Sequence, residues 1–261
     1  MPHAAGLYYE WHGADDAPVV ILSPGLGGSA GYWTPNLAAL AAQYRVLLYD
    51  HRGTARSDRA LPQTVTVDDM ADDLIALMDA LGIATAHLIG HAAGGIIGLA
   101  MALKAPDRLA KLIVVNGWVA PDPHFARCFD VRLTLLRYAG PAAYVRAQPI
   151  FLFPADWISA HSAALDAEEP LHLSHFPPPE NIERRVAALK AFDIADRLGE
   201  IDVPVLAIVA ADDMLVPASA SDRIETGIAG ARRVTMAWGG HACNITDSDR
   251  FNAITLEFLE D

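Results

Sequence analysis

Short runs of consecutive apolar residues recur along the chain, and most of them end at proline, glycine or a polar residue. Four of these runs predict strands, at residues 19–22, 46–49, 112–115 and 205–209. Because the runs are continuous rather than alternating, they are typical of parallel strands that are covered on both faces.

The stretches between the predicted strands carry helical spacing. Thr66 followed by Asp69 predicts a helix start, because the Asp69 carboxylate can return a hydrogen bond to the capping residue. Gly82 predicts the end of the same helix. Between them, the apolar residues that keep a helical period are Met70, Leu74, Leu77, Met78 and Leu81. Strands that alternate with helices predict an α/β fold with a mostly parallel, doubly wound sheet.

The alternation breaks between residues 119 and 198, where the pattern predicts no strand. Helical segments at 131–138 and 182–192 are separated by prolines, among them Pro149, Pro154 and Pro170. We therefore predict a core of residues 1–118 and 199–261. A helical lid, residues 119–198, is inserted over the edge of the sheet where the parallel strands end.

The most informative position is Ala92, at the centre of Gly90-His91-Ala92-Ala93-Gly94. An apolar run precedes this segment and a helical run follows it. In that strand–turn–helix context, the Gly-x-Ser-x-Gly elbow of an α/β-hydrolase presents a nucleophilic serine. The glycines are kept, because a sharp elbow brings backbone close to backbone, but the hydroxyl is missing.

Two candidate catalytic groups follow in the chain order of a hydrolase triad, acid and then histidine. Asp212 and Asp213 come just after the predicted strand at 205–209, and we favour Asp213 because Pro217 follows four residues later. His241 lies in a glycine-rich loop before the last helix. A histidine acts as a general base near neutral pH, and a carboxylate on its far nitrogen fixes the tautomer.

The backbone is expected to supply an oxyanion hole. One amide is that of Ala93, directly after the elbow position, and the other is that of Leu26 in the loop Pro24-Gly25-Leu26-Gly27-Gly28. This loop is not a phosphate-binding loop, because no Lys-Ser/Thr follows it. Cys243, two residues after His241, is too close to the base in sequence to serve as a replacement nucleophile.

Composition narrows the class of protein. The chain of 261 residues has a net charge of −13, which argues against a nucleic-acid partner. Its two cysteines, Cys128 and Cys243, have no metal-ligand spacing and suit a reducing compartment. No signal peptide or membrane-spanning run is visible. We expect a cytoplasmic protein without metal or cofactor and without a membrane partner, and a homodimer is compatible with the sequence.

Several segments resemble the RutD family of bacterial pyrimidine catabolism, within the α/β-hydrolases, over nearly the whole chain. They include Asn116-Gly117-Trp118, the lid segments Arg127-Cys128-Phe129, Val131-Arg132 and Pro154-Ala155-Asp156-Trp157, His175-Phe176, and Gly240-His241-Ala242-Cys243-Asn244. The resemblance implies that alanine at position 92 is native. It also implies hydrolysis of a carbon–nitrogen bond, either carbamate to ammonia and carbon dioxide or 3-aminoacrylate to malonic semialdehyde and ammonia.

The elbow alanine, the predicted acid and histidine, and the implied substrates together predict one mechanism. Both substrates decompose unaided, and a triad enzyme stripped of one catalytic member keeps about 10³–10⁴-fold acceleration. We expect a water beside Ala92 to be activated by His241, with Asp213 orienting the imidazole. Trp118, Trp157 and His175 are candidates for the pocket lining, together with Phe153. A lid arginine suits a carboxylate substrate, and the candidates are Arg127, Arg132, Arg137, Arg184 and Arg185.

Two other interpretations stay open. One is a catalytically silent binder of small carboxylates on the same fold. The other is an esterase or lactonase that carries an engineered Ser→Ala at position 92.

Overall fold

The computed structural model describes residues 1–261, and one eight-stranded sheet runs through it. The strands are β1 (His3–Ala4), β2 (Leu7–His12), β3 (Val19–Ser23), β4 (Arg45–Tyr49), β5 (Ala86–His91), β6 (Leu109–Val115), β7 (Val205–Ala210) and β8 (Arg232–Met236). Their order across the sheet is β1-β2-β4-β3-β5-β6-β7-β8. The pairs from β4 to β8 are parallel, whereas β1 and β2 pair antiparallel at one edge. The predicted fold class is confirmed.

Nine α-helices accompany the sheet. They are α1 (Thr34–Ala41), α2 (Val67–Ala80), α3 (Ala93–Lys104), α4 (Pro123–Leu152), α5 (Ala155–Ser174), α6 (Pro179–Ala191), α7 (Asp222–Gly227), α8 (Cys243–Thr246) and α9 (Ser248–Glu260). The predicted capping box is present in α2, since Thr66 and Asp69 exchange side-chain and backbone hydrogen bonds. None of the helices combines the length and the apolar character needed to cross a bilayer.

The strands bury side chains on both faces, as their continuous apolar runs predict. Along β3, Ile21 packs on the side of α2 and α3, while Val20 and Leu22 pack on the other side, which α1 and α9 cover. Helix α3 is buried almost throughout, because it lies between the sheet and α2. Two apolar layers therefore hold the sheet rigid beneath its carboxyl edge.

Helices α4, α5 and α6 fill the stretch between β6 and β7. Two expectations about its prolines were wrong, because Pro149 lies inside α4 and Pro170 inside α5 rather than between helices. The break in α4 falls instead at Gly140, where φ is 83°. That left-handed conformation favours glycine, so the bend is set by this residue. The division into core and lid stays a prediction.

Candidate active site

Ala92 joins β5 to α3 in a strained conformation, with φ 47° and ψ −104°. Its N–H donates to the Val115 carbonyl at 2.8 Å, and its own carbonyl accepts from Ile96 N–H at 3.0 Å. A non-glycine residue with positive φ costs energy and persists only where its surroundings impose it. The elbow geometry is therefore complete around an alanine.

The flanking glycines are required by close backbone approach. A Cβ on Gly90 would stand 2.2 Å from the carbonyl of Gly94, and a Cβ on Gly94 would stand 2.1 Å from the Ser23 carbonyl oxygen. Both distances are far below van der Waals contact. Both positions require glycine because the first turn of α3 packs directly against the backbone of β5 and β3.

His241 and Asp213 are brought together at this edge. Nδ1 of His241 lies 2.8 Å from Oδ2 of Asp213, and the two side chains are 3% and 0% exposed. The other Asp213 oxygen accepts from the N–H groups of Leu215 and Val216 at 2.7 and 2.9 Å. Because Nδ1 contacts Asp213, Nε2 is the ring nitrogen of His241 that is available to accept or donate a proton.

The neighbouring Asp212 has a different contact. Its Oδ1 accepts from the backbone N–H of Gly240 at 2.9 Å. Of the two adjacent carboxylates, only Asp213 meets the imidazole, while Asp212 holds the loop that carries it.

Two polar residues that the sequence interpretation gave no role fix the His241 loop. Nδ2 of Asn116 and Nε2 of His91 both donate to the His241 carbonyl at 2.8 Å. Oδ1 of Asn116 accepts from Ala210 N–H at 2.9 Å, which links the ends of β6 and β7 to the loop. Both residues are polar positions at the end of apolar strand runs, and that pattern was the signal available in the sequence.

The His91 ring packs against the His241 ring, with centroids 4.6 Å apart, and stacks on Tyr32 at 4.7 Å. Burial, with the nearby His241, holds the pKa of His91 well below its usual value. His91 is therefore neutral, and a neutral ring that donates from Nε2 leaves Nδ1 without a proton.

The two expected oxyanion donors are backbone N–H groups without a recorded acceptor in the chain. Ala93 provides the first N–H of α3, and helix geometry leaves such a group unpaired. Neither its N–H nor that of Leu26 donates to an acceptor within the chain. The Leu26 loop is held at Gly28, whose carbonyl accepts from His51 N–H at 2.8 Å.

The residues predicted to line the pocket differ in how deeply they are buried. Trp118 is buried at the end of β6, with its ring 4.9 Å from Phe125 and its Nε1 without an acceptor. Trp157 is half-buried and stacks between Phe153 and His161.

Two further positions bear on the expected chemistry. The structure does not bring His175 to the His241–Asp213 pair, because the side chain is exposed and bonds within its own segment, to Ser174 and the Leu171 carbonyl. These contacts lend the predicted lining role of His175 no support, and that role stays a prediction. Burial raises the pKa of the Cys243 thiol to about 12, which agrees with its exclusion as a nucleophile. No three His, Cys, Asp or Glu side chains are grouped so as to hold a metal ion.

Comparison with known proteins adds a second line of information. A family model described as alpha/beta hydrolase fold matches residues 18–142. A protein of Caulobacter sp. (strain K31), named "Putative carbamate hydrolase RutD", is 54% identical over 97% of this chain and 96% of its own length. A protein of the same name from Klebsiella pneumoniae (strain 342) is 47% identical over 95% and 92%. The crystal structure of the enol-lactonase from Burkholderia xenovorans LB400 superposes with a TM-score of 0.90 at 28% identity, covering both chains fully.

Proposed function

Because the chain belongs to the RutD family of α/β-hydrolases, we propose that it hydrolyses the carbon–nitrogen bond of carbamate, a product of pyrimidine breakdown. The observation that carries the proposal is the His241–Asp213 contact at 2.8 Å beside an elbow that holds Ala92. A base with its orienting carboxylate is present, but the nucleophile it would activate in a serine hydrolase is absent. Water is the nucleophile that such a site can activate.

The proposed reaction proceeds in two steps. Nε2 of His241 takes a proton from water, and the hydroxyl adds to the carbamate carbon. The amides of Leu26 and Ala93 stabilise the developing oxyanion, and one such donor is worth about 2.7–4 kcal/mol in serine hydrolases. The carbon–nitrogen bond then breaks, its electron pair stays on nitrogen, and His241 returns the proton. Carbamate and water give ammonia and bicarbonate, which dehydrates to carbon dioxide.

Asp213 supports this proposal through the tautomer of His241. An imidazole that donates Nδ1–H to a carboxylate presents Nε2 as an acceptor, which is the state a general base needs. The carboxylate also stabilises the imidazolium that forms after the proton is taken. A protein that only bound a ligand would have no need for this pair, and that favours the enzyme over the silent binder.

The decisive test is the release of ammonia from freshly prepared carbamate, followed in a coupled assay with and without enzyme. We expect the wild type to exceed the uncatalysed rate and His241→Ala to lose that excess. His172→Ala, which alters an exposed histidine on α5, is the matched control and keeps wild-type activity. Equal rates for wild type and His241→Ala would refute the proposal.

The same assay distinguishes the remaining alternatives. Freshly generated 3-aminoacrylate is run in parallel, and a His241-dependent rate on this substrate alone would move the proposal from carbamate to aminoacrylate. Ala92→Ser is screened with aryl esters. A strong burst of product, stoichiometric with enzyme, would favour the interpretation of an esterase with an engineered alanine.

A further inference from the structure

A buried arginine in α4 has no acidic partner. Arg132 is 5% exposed and takes part in no ion pair within the chain. Its guanidinium carbon lies 5.7, 5.0 and 5.5 Å from the ring centroids of Phe129, Tyr144 and Phe151. Burying a charge without an opposite charge is costly, so a retained buried cation calls for an anion.

The hydrogen-bonding capacity of this guanidinium is mostly unused. Nη2 donates to the Tyr144 hydroxyl at 2.8 Å. Nε is fully buried and has no acceptor, whereas Nη1 has no acceptor and is not fully enclosed. Nη1 is therefore the donor that an incoming ligand can reach.

Helix α4 contacts the Asp213 loop before Arg132 in sequence and the His241 loop after it. One turn before it, Sγ of Cys128 lies 3.8 Å from the carbonyl oxygen of Met214, the residue after Asp213. At the other end of the helix, the Leu152 carbonyl accepts from Ala242 N–H at 2.9 Å. Arg132 thus lies on the part of α4 that spans the His241 and Asp213 loops.

The pKa of the Cys128 thiol agrees with this placement. Burial raises it, Arg132 opposes the rise, and Asp213 adds to it. Cys128 is therefore within electrostatic range of both Arg132 and Asp213.

Three of the other candidate arginines are either exposed or already have a partner within the chain. Arg127 is exposed. Arg137 pairs with Glu183 at 2.6 Å, and Nη1 of Arg184 donates to the Leu61 carbonyl at 2.9 Å.

Arg185 is also buried and lacks an acidic partner, but it cannot reach a ligand. Its Nε and Nη1 are both fully enclosed, and Nη2 contacts Nδ1 of His51. Two further arginines of residues 119–198 are ion-paired, Arg146 with Asp166 and Glu169 and Arg197 with Glu200. Of the seven arginines in this stretch, only Arg132 combines a buried, unpaired charge with an open donor.

We propose that Arg132 binds the carboxylate of the substrate through Nη1 and thereby restricts the His241 site to small monocarboxylates. The substrate's identity as carbamate rests on the proposed function, but the requirement for a carboxylate does not. A neutral amide of the same shape offers the guanidinium no opposite charge, so it binds far more weakly.

The test uses acetate as the charged probe and acetamide as its neutral counterpart, in equilibrium titrations followed by NMR of the purified protein. We expect the wild type to bind acetate at least tenfold more tightly than acetamide, with a shift of the His241 imidazole resonances. Arg132→Gln weakens acetate binding at least tenfold and removes that shift. Arg127→Gln, the same change on an exposed turn of α4, leaves both unchanged.

Arg132→Met is a second variant that keeps much of the side-chain volume among the three rings and is therefore expected to fold. Thermal unfolding of each variant checks that it does. Equal acetate affinity in the wild type and Arg132→Met, or equal affinity of the wild type for acetate and acetamide, would overturn the inference. Arg132-dependent acetate binding without carbamate hydrolysis would instead refute the proposed function and leave this inference standing.

Discussion

Oδ2 of Asp213 lies 2.8 Å from Nδ1 of His241, whereas the adjacent Asp212 contacts the backbone N–H of Gly240 at 2.9 Å. Two neighbouring carboxylates therefore serve one loop in different ways. Asp213 determines the tautomer of the imidazole, and Asp212 determines the position of the backbone that carries it.

Asp213→Asn is expected to remove most of the proposed carbamate hydrolysis, because the amide favours the wrong tautomer of His241. General acid–base catalysis contributes about 10²–10⁴-fold, which sets the size of the loss. Asp212→Asn keeps an oxygen that accepts from Gly240 N–H, so it retains near wild-type activity. Steady-state ammonia release checks both variants, and similar losses in the two would contradict the assignment.

The strain at Ala92 predicts a stabilising substitution. Glycine adopts φ 47° without steric cost, so Ala92→Gly is expected to raise the free energy of unfolding by about 1 kcal/mol, after subtracting the added freedom of the unfolded chain. Ala93→Gly, one residue later in the first turn of α3, lowers it by about 1 kcal/mol. Urea denaturation of the two variants should move in opposite directions.

Gly94 predicts a strongly destabilising substitution. The Cβ of Gly94→Ala would stand 2.1 Å from the Ser23 carbonyl oxygen, a backbone atom that cannot rotate away. We expect a loss of about 3 kcal/mol in the free energy of unfolding, at the upper end of overpacking costs. Gly199→Ala is the control, because no atom lies within 4 Å of its added Cβ. Equal denaturation midpoints for the two variants would contradict this prediction, because they would mean that the elbow backbone shifts to accommodate the added methyl group.

Two buried histidines predict that stability depends on pH. Burial and the charge of Arg185 hold the pKa of His51 well below its usual value, and burial with the nearby His241 does the same for His91. The native state keeps both neutral, while the unfolded chain takes up a proton on each below about pH 6.5. Stability is therefore complete above about pH 6.5 and falls as the pH drops below it, by about 1.4 kcal/mol per pH unit for each histidine.

Urea unfolding between pH 8 and pH 5.5 measures this dependence. His91→Gln removes one of the two groups, so the slope below pH 6.5 should fall by about 1.4 kcal/mol per pH unit. His172→Gln, on the surface of α5, should leave the slope unchanged. A slope that does not change in His91→Gln would mean that His91 takes up its proton in the native state.

Much of the fold follows from the sequence, because its signals are local. Continuous apolar runs predicted the parallel strands β3, β4, β6 and β7, and Thr66 with Asp69 predicted the start of α2. The edge strands β1 and β2 were missed, since β1 spans only two residues and Glu10 and His12 interrupt the apolar run of β2. Helix α5 was missed as well, because it buries no residue and so carries no amphipathic pattern.

Residue types at particular positions also indicated which chemical groups the site contains. They identified the elbow with alanine in place of serine, the acid and the histidine in chain order, and a backbone loop able to donate. These follow from residue types at fixed positions relative to predicted strand ends, and the carboxyl ends of parallel strands meet at one edge.

Residues of the same type could be told apart only from their contacts in the folded protein. The structure distinguished Asp213 from Asp212 and placed His91 and Asn116 against the His241 loop. It also left His175 exposed and left Nε of the buried Arg132 without an acceptor. The physical reason is that a hydrogen bond or an unpaired charge depends on distances of a few ångströms between segments far apart in the chain. Sequence spacing specifies which groups are available, and packing specifies which of them meet.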